Sequence, residues 1–278
     1  MVTLGDVRSA LLAPLRRRGT TVLLPGESFG VGNLAYFWLQ AHARRSRGVP
    51  TAVRATRRTA EWAEVFPRVL EELVVPPAEM SFFSPRELGS VHQDFGVEFT
   101  ADELADFVAT MLLPPGGPFT ALAAAARPEA DLTVNIRRGD YYSVPAFRGR
   151  YSFDVVEYVD AALALARERE PVRSVLIVSD DLDWCRVKLA RVLEGVEVRF
   201  PGAGTPVPQQ LALLAASRRL VLTNSTFSYW GAHLGDHVHG GADVIAPWFH
   251  SRAWNGGAAT QLDPRWRVVR DLPGGWDG

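Results

Sequence analysis

Leu132-Thr133-Val134-Asn135-Ile136 runs into Arg137-Arg138-Gly139-Asp140-Tyr141, so five residues of strand character lead straight into two arginines and a carboxylate. A guanidinium is a fixed fork of donors that keeps its charge near neutral pH. At the carboxyl end of a strand it stands where open α/β sheets bind their ligands. The expectation is a phosphate-bearing ligand held by Arg137 and Arg138, with a plain surface turn as the alternative. Working outward, the alternation of strands and helices continues. Ser174 to Val178 reads as a strand ending in Ser179-Asp180-Asp181, with a helix over 183–193. Val196 to Phe200 is a strand, Gln209 to Ser217 a helix, and Arg219 to Thr223 a strand ending in Asn224-Ser225-Thr226. Another helix carries Phe227 to Leu234, and Asp243 to Ala246 closes as a final strand.

On the amino-terminal side, Thr20 to Leu24 reads as a buried strand followed by a glycine-bearing loop, Gly26 to Gly32. Asn33 opens a helix that stops at Gly48. A strand over 50–55 and a helix over 60–74 follow. Thr100-Ala101-Asp102-Glu103 is a capping box for the helix carrying Leu104, Phe107 and Met111. Leu113 to Pro118 is the densest breaker cluster, and a helix over 153–169 precedes Pro171. Strands alternating with helices mean βαβ units and parallel sheets. The predicted fold is α/β, with two Rossmann-like lobes, residues 1–128 and 129–278, facing a cleft.

The bulk composition narrows the function classes. The chain has 278 residues, 47% hydrophobic and 22% charged, with a net charge of -1. That is a soluble globular composition with no global field for nucleic acid or an anionic membrane. One cysteine, Cys185, excludes a disulfide framework and a Cys-rich zinc site. Met1 to Leu11 is too polar for a signal peptide, and no apolar run is long enough to span a bilayer. The expected location is the cytoplasm, either free or peripheral at the inner membrane.

Three polar clusters fall at three strand ends of the second lobe: Arg137-Arg138-Gly139-Asp140, Ser179-Asp180-Asp181, and Asn224-Ser225-Thr226-Phe227-Ser228. The third places hydroxyls and backbone N–H groups at a helix start, a ready phosphate site. Its plainer reading is N-capping by Ser225 or Thr226. These residues carry a resemblance. Val134 to Tyr141 resembles the His-x-Arg-Arg-Gly-Asp-Tyr motif of α1,2-fucosyltransferases of glycosyltransferase family 11. Ser179-Asp180-Asp181-Leu182-Asp183-Trp184 is similar to the family's Ser-Asp-Asp-x-x-Trp. Asn224 to Leu234 is similar to its Asn-Ser-Ser-Phe-Ser-Trp-Trp-Gly-Ala-Trp-Leu. Gly30-Val31-Gly32-Asn33 and Val244 to Phe249 match its outer landmarks.

The resemblance implies a GT-B enzyme that moves L-fucose from GDP-fucose to a carbohydrate or glycoside hydroxyl, inverting and without metal or other cofactor. Arg137 and Arg138 would neutralise the leaving diphosphate in place of a cation, as an oxyanion hole does. One would contact phosphate and the other would be locked against Asp140. Asn33, Asn135, Asp181, Gln210 and Asn224 would belong to the donor site, with Ser225, Thr226 and Phe227 as donors to the phosphates. The sequence departs from the family at Asn135, where a histidine is usual, and at Gln210, where an acidic residue is expected. An amide offers guanine one carbonyl where a carboxylate accepts two hydrogen bonds. A different nucleotide-sugar donor, or a binding module without turnover, therefore stays open. His233 replaces a family tryptophan.

Inversion needs an acceptor hydroxyl made nucleophilic. Glu27 is the base candidate, against an ordinary loop glutamate, and Asn33 serves the site or simply caps its helix. Asp181-Leu182-Asp183 has the Asp-x-Asp form that binds divalent cations in other transferases, but Asp183 as a helix cap is simpler. Tyr142, Trp248 and Trp254 are candidates for stacking on sugar rings, with core packing as the alternative.

Overall fold

Leu132, Val134 and Ile136 alternate with Thr133 and Asn135, and all five are buried, so both faces of this strand are covered. The computed structural model describes residues 19–88 and 92–277. The expectation for Met1 to Leu11 lies outside them. The chain divides into two compact units, Met1–Pro118 and Phe119–Gly278.

In the first unit, β1 (Thr21–Leu24), β2 (Thr51–Arg54), β3 (Val74–Val75) and β4 (Arg86–Leu88) form a parallel sheet in the order β3-β2-β1-β4. Helix Val31–Ser46 supplies much of the core through Leu34, Tyr36, Phe37, Trp38 and Leu39. It begins two residues before the predicted start. The helix expected over 60–74 is broken into Arg57–Ala60 and Pro67–Leu73, because proline takes the first helical position more readily than an interior one. The Thr100 capping box forms as expected: Thr100 Oγ1 accepts from Glu103 N at 3.2 Å, and Glu103 Oε2 accepts from Thr100 N at 2.9 Å.

The second unit holds β5 (Leu132–Ile136), β6 (Ser174–Ser179), β7 (Glu197–Arg199), β8 (Arg219–Leu222), β9 (Asp243–Pro247) and β10 (Arg267–Val269), all parallel, in the order β10-β9-β8-β5-β6-β7. Counted from β5, that is the 3-2-1-4-5-6 order of dinucleotide-binding sheets. Two parallel sheets, one per unit, are the two Rossmann-like lobes of the GT-B expectation. β9 is not the last strand, since β10 follows it. Two helices after the arginine motif, Gly139–Ser143 and Pro145–Tyr151, were not anticipated. Among the described residues, no helix is long and apolar enough to cross a membrane.

One face of this sheet buries Val134, Ile136, Val175 and Ile177 against Tyr158, Val159, Ala162 and Leu163 of helix Val155–Arg167. On the other face Thr133 Oγ1 pairs with Ser217 Oγ at 2.8 Å. Helices Val207–Ala215 and Thr226–His239 pack together at Gly231, where a Cβ would stand 2.6 Å from Leu214 Cδ1 and 2.7 Å from its Cβ. Gly231→Val is therefore expected to destabilise by about 1–3 kcal/mol through overpacking. A urea unfolding midpoint equal to that of the parent would show that the helices separate freely.

Candidate active site

In the order β10-β9-β8-β5-β6-β7 the chain leaves β5 toward one edge of the sheet and β8 toward the other. The crevice at the carboxyl ends of such a strand pair is where doubly wound sheets bind ligands. The arginine motif follows β5 and Asn224 to Phe227 follows β8. A hydrogen bond from Arg137 N to Thr223 Oγ1 at 3.1 Å ties the two loops together.

The two arginines differ in setting. Arg138 is clamped. Its guanidinium lies 3.9 Å from the Trp184 ring centroid and 4.3 Å from that of Tyr142. Its Nε donates to Asp181 Oδ2 at 3.1 Å, and its backbone N donates to Asp180 Oδ1 at 2.8 Å. Arg137 is the more available, with 28% of its side chain exposed. It lies over the Phe227 ring at 5.0 Å and only 3.6 Å from Asp180 Oδ2. The lock expected from Asp140 is thus supplied by Asp180 and Asp181. Asp140 is exposed in the first turn of helix Gly139–Ser143. Gly139 has φ +33, and a Cβ there would stand 3.1 Å from Asp180 Oδ2, which makes glycine the residue that lets the carboxylate approach.

Phe227 is buried, while Ser225 and Thr226 are partly exposed at the start of helix Thr226–His239. Ser225 holds the N-cap position, but no side chain caps the helix. The capping alternative is therefore not what these hydroxyls do. First-turn N–H groups have no carbonyl partner within a helix, and they carry the positive end of its dipole. The arrangement of one accessible guanidinium beside an uncapped helix start suits an anion.

The remaining candidates have other duties in this structure. Asn135 is fully buried. Its Nδ2 donates to Val178 O at 2.8 Å and its Oδ1 accepts from Ser228 Oγ at 2.6 Å, so it holds β5 to β6 and to the phosphate-type helix, and presents no surface to a donor. Asn224, also buried, donates to Tyr151 O and His250 O, both at 2.9 Å, and its Oδ1 has no partner among the described residues. Asp181 caps helix Leu182–Lys188 by accepting from Trp184 N at 3.2 Å. This displaces Asp183, which pairs with Arg186 instead. The Asp-x-Asp carboxylates are both committed to protein partners. Gln210 donates to Thr205 O at 3.0 Å, and its Oε1 is buried without a partner among the described residues.

In the first unit, Glu27 pairs with Arg54 at 2.7 Å and is largely exposed. Asn33 lies inside helix Val31–Ser46, whose N-cap is Gly30, and accepts from Gln93 Nε2 at 3.0 Å. It does not cap the helix. Nearby, His92 Nδ1 lies 3.1 Å from Glu98 Oε2 while its Nε2 is buried without a partner among the described residues. Nothing in the sequence singled out that pair, whose members are six positions apart in a loop. Of the stacking candidates, Tyr142 is occupied by Arg138 and donates to Phe153 O at 3.0 Å. Trp248, partly buried, stacks on Trp276 against the edge of the core, and Trp254 remains exposed.

The sequence profile of Glycosyl transferase family 11 matches residues 118–251, which enclose all three motifs. A galactoside alpha-(1,2)-fucosyltransferase 1 from Saimiri sciureus is 31% identical over 120 residues, 42% of this chain and 32% of that protein. An alpha-1,2-colitosyltransferase from Escherichia coli is 29% identical over 132 residues, 45% of this chain and 43% of that protein. The chain thus spans about a third to two fifths of the length of these curated relatives. Among solved structures, a variant of Arabidopsis thaliana FUT1 in complex with GDP aligns with 87% of this chain and 73% of its own, at 14% identity and a TM-score of 0.44. Residues 118–251 thus match the glycosyltransferase family 11 profile, and their sequence is similar to that of α1,2-fucosyltransferases.

Proposed function

We propose that the chain transfers L-fucose from GDP-fucose to a hydroxyl of a glycan or glycoside, with inversion and without a metal ion. The observation that carries this reading is Arg137, accessible beside the uncapped start of helix Thr226–His239 at the β5–β8 crevice. Loss of a nucleoside diphosphate builds negative charge on the leaving phosphate as the sugar becomes oxocarbenium-like. A preorganised cation and helix N–H groups stabilise that charge at the moment it develops. Arg138, held between two rings and two carboxylates, fixes the loop that aims Arg137. Acceptor binding falls to the first unit in this reading, with Glu27 as base.

A second reading, transfer of another nucleotide-linked sugar, is favoured by Gln210. Its buried Oε1 is a single acceptor oxygen where the two of a carboxylate would suit guanine. The relatives differ in the sugar they are named for, fucose in one and colitose in the other. Thermal unfolding with GDP, UDP, ADP, CMP and dTDP, each with and without EDTA, separates the readings. At about 100 times its dissociation constant a ligand adds roughly 2.7 kcal/mol, a shift of several degrees. A GDP-selective shift that EDTA leaves unchanged is expected. A shift with another nucleotide would replace the donor, and no shift with any would end the nucleotide-sugar reading.

A further inference from the structure

Asp180 serves both arginines of the motif, in two different ways. Its Oδ1 accepts from Arg138 N at 2.8 Å, while its Oδ2 lies 3.6 Å from Arg137 Nε. The same Oδ2 would stand only 3.1 Å from a Cβ on Gly139, so the glycine of the motif is what admits this carboxylate to the loop. The neighbouring pair is built more tightly. Asp181 Oδ2 accepts from Arg138 Nε at 3.1 Å, and the rings of Tyr142 and Trp184 cover that guanidinium. Among the described residues the Arg137 side chain makes no hydrogen bond, and its contacts are the Asp180 carboxylate and the ring of Phe227.

One arginine is thus fastened and the other only neutralised. A separation of 3.6 Å lies beyond a directed hydrogen bond, so charge alone holds Asp180 to Arg137. Both side chains are partly exposed, and a solvated ion pair of this kind is weak enough for an arriving anion to displace. Asp180 is anchored to the backbone through its other oxygen. The guanidinium is therefore the partner that turns toward a ligand, and the carboxylate stays.

We propose that Asp180 is the resting counter-ion of Arg137, displaced by the diphosphate of the donor and left beside it as an opposing charge. The proposal rests on the nucleotide-sugar reading above. In that reading Asp180 lowers the affinity for diphosphates. It opposes the free nucleoside diphosphate left after transfer more than the donor, whose esterified diphosphate carries less charge. The carboxylate then favours departure of the product.

Asp180→Asn removes the charge and keeps an oxygen that can accept from Arg138 N. Calorimetric titration of the parent and this variant with GDP and with inorganic pyrophosphate, at low and at high salt, reads the effect. At low salt Asp180→Asn is expected to bind both ligands about threefold tighter or better, the strength of a partly exposed charge pair. The gain should shrink at high salt, which screens such charges. Its ligand-free unfolding temperature is expected to stay at the parent value. Parent-like binding by Asp180→Asn would overturn the proposal, and weaker binding would overturn it by making the carboxylate a support for Arg137; both leave the nucleotide reading intact. A gain that salt leaves unchanged would come from a rearranged loop rather than from charge, and would also overturn it. If the parent binds neither ligand, the nucleotide-sugar reading falls, and the counter-ion role with it.

Discussion

Arg137→Ala is expected to lower turnover in the proposed fucosyl transfer by about 10²–10³-fold, the range seen when one preorganised donor to a developing oxyanion is removed. The same change should leave the unfolding temperature nearly unmoved. Arg137 is partly exposed, its carboxylate partner Asp180 lies 3.6 Å away, and screened pairs of this kind contribute little. Arg138→Ala should behave differently. It empties the space between Trp184 and Tyr142 and takes a donor from Asp181, so activity and stability fall together. A desolvated cation over aromatic rings contributes up to about 2 kcal/mol, or several degrees of unfolding temperature for a chain of this size. Turnover with product analysis, read beside thermal unfolding, distinguishes the two roles. Unchanged turnover in Arg137→Ala would sink the assignment of leaving-group stabilisation to that side chain.

Acidification should destabilise the protein before its ordinary carboxylates titrate. Burial lowers the His233 and His250 imidazoles to about 4 from an ordinary value of 6.5. His233 lies against Trp266 with the rings tilted and their centroids 4.9 Å apart, with Asp263 and Asp236 raising and Arg265 lowering its affinity for a proton. His250 is stacked on Trp254 and adjoins the Tyr229 hydroxyl. Each is neutral when folded and takes a proton in the unfolded chain below pH 6.5. The unfolded state therefore binds more protons between pH 6.5 and 4. Stability is full above 6.5, falls as pH drops through that window, and levels off for these groups below 4. With both imidazoles contributing, the slope approaches about 2.7 kcal/mol per pH unit in mid-window. Unfolding midpoints measured from pH 7.5 to 4 should show this fall, and His233→Phe should remove about half of it. A flat profile would mean that both imidazoles take up protons in the folded protein as readily as in the unfolded chain.

Some of this architecture is legible in one dimension. The five-residue strand before Arg137, the Thr100 capping box and the polar run after β8 are local patterns, and the structure places each where its period and caps indicate. The three-residue strands β4 and β10 escape because so short a run carries no period. The Asp140 lock fails for a related reason. Proximity in sequence suggests a pair, but a glycine at φ +33 turns the chain so that carboxylates from the β6 loop reach the arginines first.

Asn135 shows the limit most clearly. Its position in a matching motif marks it for the donor, yet alternation along β5 turns its side chain under the helix, where Val178 and Ser228 satisfy it. The class of fold, the identity of the arginine motif and its place after a strand were determined by sequence alone, because strand and helix periods and caps act over a few residues. Which arginine is the more exposed, and which carboxylate holds the other, were decided only by the tertiary structure. Those outcomes depend on strand order, which brings Asp181 to Arg138 across 43 positions, and no local preference encodes an order set by burial of the whole sheet.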